Sequence, residues 1–128
     1  MLQFLLDEHI SPTVCSIVHE RRSQISIESL LEWRDGSLRG KDDHIVPTTA
    51  AEAGFTLATY DLRTIPALLQ AWAAKGLRHQ GVIFIDERTC RPQDFAEIAD
   101  ALIRIWDDLG TFEWSDRVAF ASRASAPK

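Results

Sequence analysis

Cysteine is scarce in this chain of 128 residues, which contains only Cys15 and Cys90. The two lie far apart in the sequence, and neither belongs to a CxxC pair or to a cysteine and histidine cluster of the kind that holds zinc. The fold therefore needs neither a disulfide framework nor a structural zinc ion. We expect both thiols to be reduced and buried.

Long apolar runs are absent as well. Nowhere do about 18 apolar residues follow one another, the length that a membrane-spanning helix needs. The apolar start of the chain runs directly into Asp7, Glu8 and His9, without the basic region and the small-residue cleavage site of a signal peptide. The sequence predicts a cytoplasmic protein that does not enter a membrane.

The chain also lacks an excess of basic residues. Its 19 acidic side chains outnumber 14 basic ones, and the formal net charge is −5. Bulk charge does not attract nucleic acid to such a chain, so any site for a polyanion must be local. No P-loop, GxGxxG loop or Ser/His/Asp order is present, which leaves nucleotide binding and nucleophilic catalysis without a basis.

What the chain does contain is the material for one compact α/β domain. Hydrophobic residues make up 45% of its length, enough for a single core. Strand patterns at 2–6, 25–28, 55–60, 81–85 and 117–120 alternate with helical patterns at 11–22, 42–53, 65–75 and 92–109. This alternation predicts βαβ units with right-handed crossovers and a parallel sheet covered on both faces. Residues 122–128 are small and polar and predict a flexible tail.

Three of the predicted strands end on an aspartate, namely Asp7, Asp61 and Asp86. Because the carboxyl ends of parallel strands share one edge, we expect these carboxylates near each other, joined by the Asp42 and Asp43 pair that opens a predicted helix. Clustered carboxylates repel one another unless a cation holds them, and hard oxygen ligands favour magnesium or manganese. Such a cation could activate water for attack on a phosphodiester.

Structural roles for the same residues stay open. An aspartate after a strand often caps the next helix or makes a turn, and Asp42 can serve as an N-cap. Asp86 is expected to be the outlier of the group. His9 can act as a ligand or base, or simply hydrogen-bond within its loop.

Three segments of the chain carry a resemblance to a known family. Residues 5–12 read LLDEHISP, residues 39–45 read RGKDDHI, and Thr59, Tyr60 and Asp61 end a strand. Together they resemble the PIN-like domain family of small bacterial proteins, relatives of the PIN ribonucleases, over about residues 2 to 120. The resemblance implies a PIN-like domain over residues 1–121, with a three-layer α/β/α fold and a mostly parallel sheet of four to five strands.

The resemblance also implies an activity and a site. It predicts an Mg²⁺- or Mn²⁺-dependent ribonuclease with Asp7, Asp42 and Asp61 as catalytic residues and metal ligands, and Asp43 as a further metal-binding acid. Many relatives serve as the toxin of a toxin-antitoxin pair, so a small antitoxin protein is an expected partner. The alternative is a PIN-like module with weak or no catalysis that binds nucleic acid or a protein. A small phosphatase is a third possibility.

Contacts to RNA and to partners are expected from particular segments. Arg39, Lys41 and Arg63 predict a local positive rim that would hold RNA phosphates beside the acids. The edge strand near residues 117–120, together with Trp33 and Trp114, predicts association with a second copy or with an antitoxin.

Overall fold

The computed structural model describes residues 2–38, 40 and 45–123. Strands and helices alternate along them, with one 3₁₀ turn at Trp33–Gly36. The strands and helices are β1 (Gln3–Leu6), α1 (Thr13–Arg21), β2 (Ser26–Ser29), α2 (Ile45–Glu52), β3 (Thr56–Thr59), α3 (Ile65–Ala74), β4 (Val82–Ile85), α4 (Phe95–Leu109) and β5 (Val118–Ala121). Of the predicted tail, residues 122 and 123 are described and exposed, and 124–128 lie outside the described residues.

The five strands form one sheet in the order β2-β1-β3-β4-β5, and all neighbouring strands are parallel. Helices α1 and α4 pack on one face, and α2 and α3 pack on the other. The predicted three-layer α/β/α architecture with four to five mostly parallel strands is therefore confirmed. Within the described ranges, no helix combines the length and the apolar character needed to cross a bilayer.

Burial on both faces explains the apolar run at the start of the chain. Phe4 and Leu6 point to the layer of α1 and α4, whereas Leu5 points to the layer of α2 and α3. All three side chains are fully buried. A strand between two helical layers has no solvent side, so its residues are apolar without alternation.

One crossover has the opposite hand to the other three. The steps from β1 to β2 and from β4 to β5 run in opposite directions along the sheet, yet α1 and α4 lie on the same face. Since about 98% of such connections are right-handed, β4–α4–β5 is the left-handed one. The expectation of right-handed crossovers throughout is wrong here.

Contacts between α1 and α4 account for the side on which α4 lies. Val14 and Val18 of α1 join the apolar face of α4 in one buried cluster. At the surface, Arg21 pairs with Asp100, and the Arg22 guanidinium lies 3.4 Å from Asp107. Among the described residues, α3 is consequently the last helix on its face, and β5 has no helix covering it there.

The backbone refines the predicted start of α4. Helix α4 begins at Phe95 instead of Pro92, because the Ile98 N–H first reaches the Asp94 carbonyl, at 3.1 Å. Pro47, which the sequence placed inside the next helix, is the third residue of α2 as described, and the predicted start of that helix at Asp42 lies outside the described residues.

The two cysteines differ in their environment. Cys90 is buried as predicted, but Cys15 is only partly buried, so the prediction is wrong for it. Partial burial, with Glu28 and Glu32 nearby, raises the pKa of the Cys15 thiol to about 12. The thiol is therefore protonated and unreactive at neutral pH.

The tryptophans expected at a partner interface pack on the protein itself. The Trp33 ring meets Phe55 edge to face with centroids 5.3 Å apart, and the Arg34 guanidinium lies 4.3 Å above it. Trp114 is only 6% exposed, and its Nε1 donates to the Leu109 carbonyl at 2.9 Å. Trp114 is therefore part of the core, whereas Trp33 keeps part of its surface accessible.

Candidate functional site

The candidate site lies where the chain reverses its direction across the sheet. From β1 the chain first adds β2 on one side and then adds β3 on the other, so the carboxyl ends of β1 and β3 are neighbours. Open α/β sheets bind ligands at this switch point, where diverging connections leave a crevice. Asp7 follows β1 directly, and its N–H donates to the Ala58 carbonyl of β3 at 3.0 Å.

The Asp7 carboxylate is held at both oxygens. Its Oδ1 accepts the Glu8 N–H at 2.8 Å, and its Oδ2 accepts the Thr59 hydroxyl at 2.7 Å. Thr59 is fully buried at the end of β3, so this hydroxyl has a fixed position. The same Thr59 oxygen accepts the Asp61 N–H at 3.0 Å. One buried threonine therefore joins the two predicted catalytic aspartates.

Asp61 has a structural role in addition to any chemical one. Its Oδ1 accepts the N–H groups of Arg63 at 2.9 Å and of Thr64 at 2.8 Å, which closes the turn before α3. The turn-making role that the sequence left open is thus observed. The N-cap residue of α3 itself is Thr64, and the two bonds that Asp61 accepts are called the Asp61 cap below. Neither bond uses Oδ2, so a second function of the carboxylate is compatible with the cap.

Asp7 and Asp61 line the same cavity, of about 350 Å³. The two side chains therefore face the same side of the molecule, as the prediction for strand-end acids at one edge requires. Two further carboxylates, Glu8 and Glu87, line the cavity as well. The rest of the lining is formed by His9, Tyr60 and Pro92. Four acidic side chains thus border one cavity in a chain whose charge balance is already negative.

Glu8 connects this cavity to the loop that precedes α2. Its Oε2 accepts the Gly40 N–H at 3.0 Å, although 32 positions separate the two residues. The predicted site residues Asp42 and Asp43, and the predicted RNA-binding residues Arg39 and Lys41, lie outside the described residues.

Asp86 lies outside the cavity, as predicted for the outlier. Its Oδ1 accepts the Arg88 N–H at 3.1 Å, and its Oδ2 accepts the Thr89 hydroxyl at 3.1 Å. The bond from the Arg88 backbone is the main reason that the pKa of Asp86 lies below its ordinary value. Asp86 therefore closes the turn between β4 and α4.

The two remaining predicted residues lie beside the acids. The Arg63 side chain is exposed and sits on the turn that Asp61 caps, one position before Thr64. His9 is exposed and lines the cavity. His9 therefore borders the acidic cavity, whereas Arg63 lies in the adjacent turn and is not one of the lining residues.

Sequence reasoning left out three residues of this site. Thr59 supplies the hydroxyl between the aspartates, Glu87 adds a carboxylate, and Tyr60 forms part of the wall. The Tyr60 hydroxyl donates to the Cys90 carbonyl at 2.5 Å, and burial raises the pKa of the phenol. Each had a signal in the sequence, since Thr59 and Tyr60 belong to a segment that carries the family resemblance and Glu87 follows a strand-end acid. The role of Thr59 depends on the register between β1 and β3.

The carboxylates of the cavity are the type of ligand that a hard divalent cation prefers, but the number of clustered ligands is small. In the part of the chain that the structure describes, no group of three or more histidine, cysteine, aspartate or glutamate side chains is placed to hold one ion. Mg²⁺ usually keeps several waters and takes one or two carboxylates together with substrate phosphates. Asp7 and Asp61 are two carboxylates on one cavity.

Comparisons of the chain with protein-family models, with curated proteins and with solved structures found no match.

Proposed function

We propose that this protein is a divalent-metal-dependent endoribonuclease of the PIN-like kind. The observation that supports this most directly is the pair of aspartates, Asp7 and Asp61, on one cavity at the switch point of the sheet. Thr59 ties the two together through hydrogen bonds of 2.7 and 3.0 Å. Acids fixed in this way on adjacent strands need no rearrangement to act together.

The residues have separate roles in this proposal. A bound Mg²⁺ or Mn²⁺ ion would generate a hydroxide nucleophile and neutralise charge on the phosphate. Asp7, whose oxygens are fixed by Glu8 and Thr59, would be the rigid ligand, and Asp61 would contribute the oxygen that its cap leaves unused. Asp42 and Asp43 would complete the site. They follow Gly40, whose N–H is bound by Glu8 of the same cavity.

RNA would be held locally, since the net charge of −5 opposes binding elsewhere. Arg63, exposed beside Asp61, is the described part of the positive rim, and Arg39 and Lys41 are its proposed continuation. A small antitoxin protein or a second copy is the proposed partner, with the cytoplasm as the proposed location and a toxin role as the biological context.

The test is cleavage of a panel of single-stranded RNAs with Mg²⁺ or Mn²⁺. We expect wild-type protein to cleave and Asp7→Asn to fall to background. Asp86→Asn is the matched control, because Asp86 follows a strand at the same edge but lies outside the cavity. Equal cleavage by Asp7→Asn and Asp86→Asn would reject the proposal.

A module without catalysis remains the second candidate. The finding in its favour is that the described acids include no group of three that could hold a metal, while Asp61 already serves as a cap. Such a module would bind RNA or a protein and cleave nothing under any metal condition. Turnover of a chromogenic phosphate ester, abolished by Asp7→Asn, would indicate a phosphatase instead.

A further inference from the structure

A large groove lies between α3 and the edge strand β5, and it shares no lining residue with the cavity of the carboxylates. Its volume is about 700 Å³, and its wall and floor are mainly apolar, with Pro66 and Leu69 from α3, Phe84 from β4, and Val118 and Phe120 from β5. The Phe120 ring is 66% exposed and stands 5.7 Å from the Phe84 ring.

Exposed apolar surface is concentrated in this groove. Six large hydrophobic side chains are exposed among the described residues, and four of them line it: Leu62, Leu77, Val118 and Phe120, each about half exposed or more. A monomer rarely leaves such side chains together in water, because burying apolar surface is favourable by roughly 25 cal/mol per Å².

The left-handed crossover explains why the groove is open. A right-handed β4–α4–β5 unit would place α4 beside α3, over Val118 and Phe120. Here α4 packs against α1 on the other face, where Ala119 and Ala121 of β5 contact it. Among the described residues, no helix covers this face of β5, whereas α2 and α3 cover the corresponding face of β3 and β4.

The edge of β5 also offers backbone hydrogen bonds. The carbonyls of Arg117 and Ala121 accept N–H groups from Val82 and Asp86 on the β4 side, at 3.0 and 2.8 Å. Because backbone groups alternate in direction along a parallel strand, those of Val118 and Phe120 point to the open edge. No described residue forms a strand on that side.

We propose that a second copy of this chain occupies this edge, with β5 pairing antiparallel to β5 of the other copy. A two-fold axis at Ala119 would put Val118 opposite Phe120 of the second copy. Both residues have their backbone groups at the open edge, so each would exchange two hydrogen bonds with its counterpart. Aromatic and β-branched side chains placed opposite each other on one face stabilise a strand pair.

Charge and area agree with a second copy as the occupant. Among the described residues, Arg78 and Asp116 are the charged ones that line the groove, and they pair with each other at 2.6 Å. Two acidic chains can therefore meet here without facing like charges. The four exposed side chains offer roughly 400 Å², about half of the 800 Å² that each partner buries in a stable interface. The paired strands and the flanks of α3 would supply the rest.

The proposed function names a second copy of this chain as a partner, and the dimer would supply that partner. In this respect the inference rests on the proposed function. Sedimentation or light scattering of the full chain tests it, without RNA. We expect twice the monomer mass of 14.4 kDa at micromolar concentration. Phe120→Glu should weaken the dimer about 30-fold or more, the loss typical of a central interface residue. A monomeric wild type would overturn the dimer and would leave the nuclease proposal standing.

Matched variants make the result specific. Phe112 is 51% exposed but lies outside the groove, so Phe112→Glu should leave the mass unchanged. Val118→Pro removes an N–H at the open edge without touching the β4 ladder, and should also give monomers. On oxidation Ala119→Cys should form a disulfide-linked dimer, whereas Phe112→Cys should not. Equal cross-linking of the two cysteine variants, or a dimer that survives Phe120→Glu, would overturn the proposed pairing.

Discussion

The hydroxyl of Thr59 donates a hydrogen bond of 2.7 Å to Oδ2 of Asp7, across 52 positions of the sequence. The parallel register that sets Leu6 beside Ala58 brings the next residues of the two strands, Asp7 and Thr59, together. Because Thr59 also accepts the Asp61 N–H, the geometry of the candidate site depends on one buried side chain.

Replacing Thr59 by valine removes its hydroxyl and nearly preserves the volume of the side chain. Thr59→Val should lower the free energy of unfolding by about 1–3 kcal/mol, because Asp7 loses a partner in a buried setting. It should also reduce RNA cleavage by about 10- to 100-fold, as expected when a group that orients a metal ligand is lost. Thr59→Ser keeps the hydroxyl and should retain most of the activity. Urea denaturation and cleavage rates check both effects, and equal rates for the two variants would contradict the positioning role.

Two substitutions at Asp61 separate its cap from its proposed metal contact. Asp61→Asn keeps an oxygen for the Arg63 and Thr64 N–H groups, so its melting temperature without metal should match that of the wild type. Asp61→Ala loses the cap and should be about 0.5–2 kcal/mol less stable. Manganese should raise the melting temperature of the wild type and of neither variant, since a ligand stabilises only the state that binds it. An equal rise for Asp61→Asn would show that Asp61 is a cap alone.

His79 should make stability depend on pH. Burial lowers the pKa of His79 below its ordinary value of 6.5, against the opposing effect of Asp116, and its Nδ1 accepts the Gly81 N–H at 3.0 Å. Below about pH 6.5 the unfolded chain takes up a proton that the folded chain resists, so the free energy of unfolding falls with falling pH. His79→Asn keeps an acceptor for Gly81 and removes the titration. The slope of stability between pH 7.5 and 5.5 should be flatter for this variant, and parallel curves would contradict the assignment.

Two glycines with similar backbone conformations provide a test of stability. Both have positive φ, +97° at Gly81 and +73° at Gly76. A Cβ at Gly81 would lie 2.8 Å from the Trp114 ring and 3.0 Å from its carbonyl oxygen, whereas one at Gly76 would meet nothing within 4 Å. Gly76→Ala should cost about 1 kcal/mol for the backbone alone. Gly81→Ala should cost roughly 2 kcal/mol more through overpacking, and thermal unfolding that ranks the two equally would contradict this packing.

Local patterns in the sequence were sufficient to predict the helices and strands and the faces that they bury. The apolar run at Phe4 to Leu6 and the spacing of Ile98, Leu102 and Ile105 depend only on periodicity, which a buried strand or helix imposes directly. The aspartates after β1 and β3 could also be placed at one edge, because parallel strands all end on the same side.

The hand of the last crossover and the groove beside β5 were set by the tertiary structure alone. Periodicity shows that α4 has one apolar face but not which side of the sheet receives that face, and here α1 supplies the complementary surface with Val14 and Val18. The exposure of Phe120 follows from that choice.

The candidate site divides in the same way. The sequence by itself determined that Asp7 and Asp61 follow parallel strands, since strand ends can be read from residue types along the chain. Only the tertiary structure decided that Thr59 joins them, that Glu8 reaches Gly40, and that Asp86 serves a turn instead. These contacts depend on side-chain directions and on strand register, which are fixed when distant segments pack and not by any local pattern.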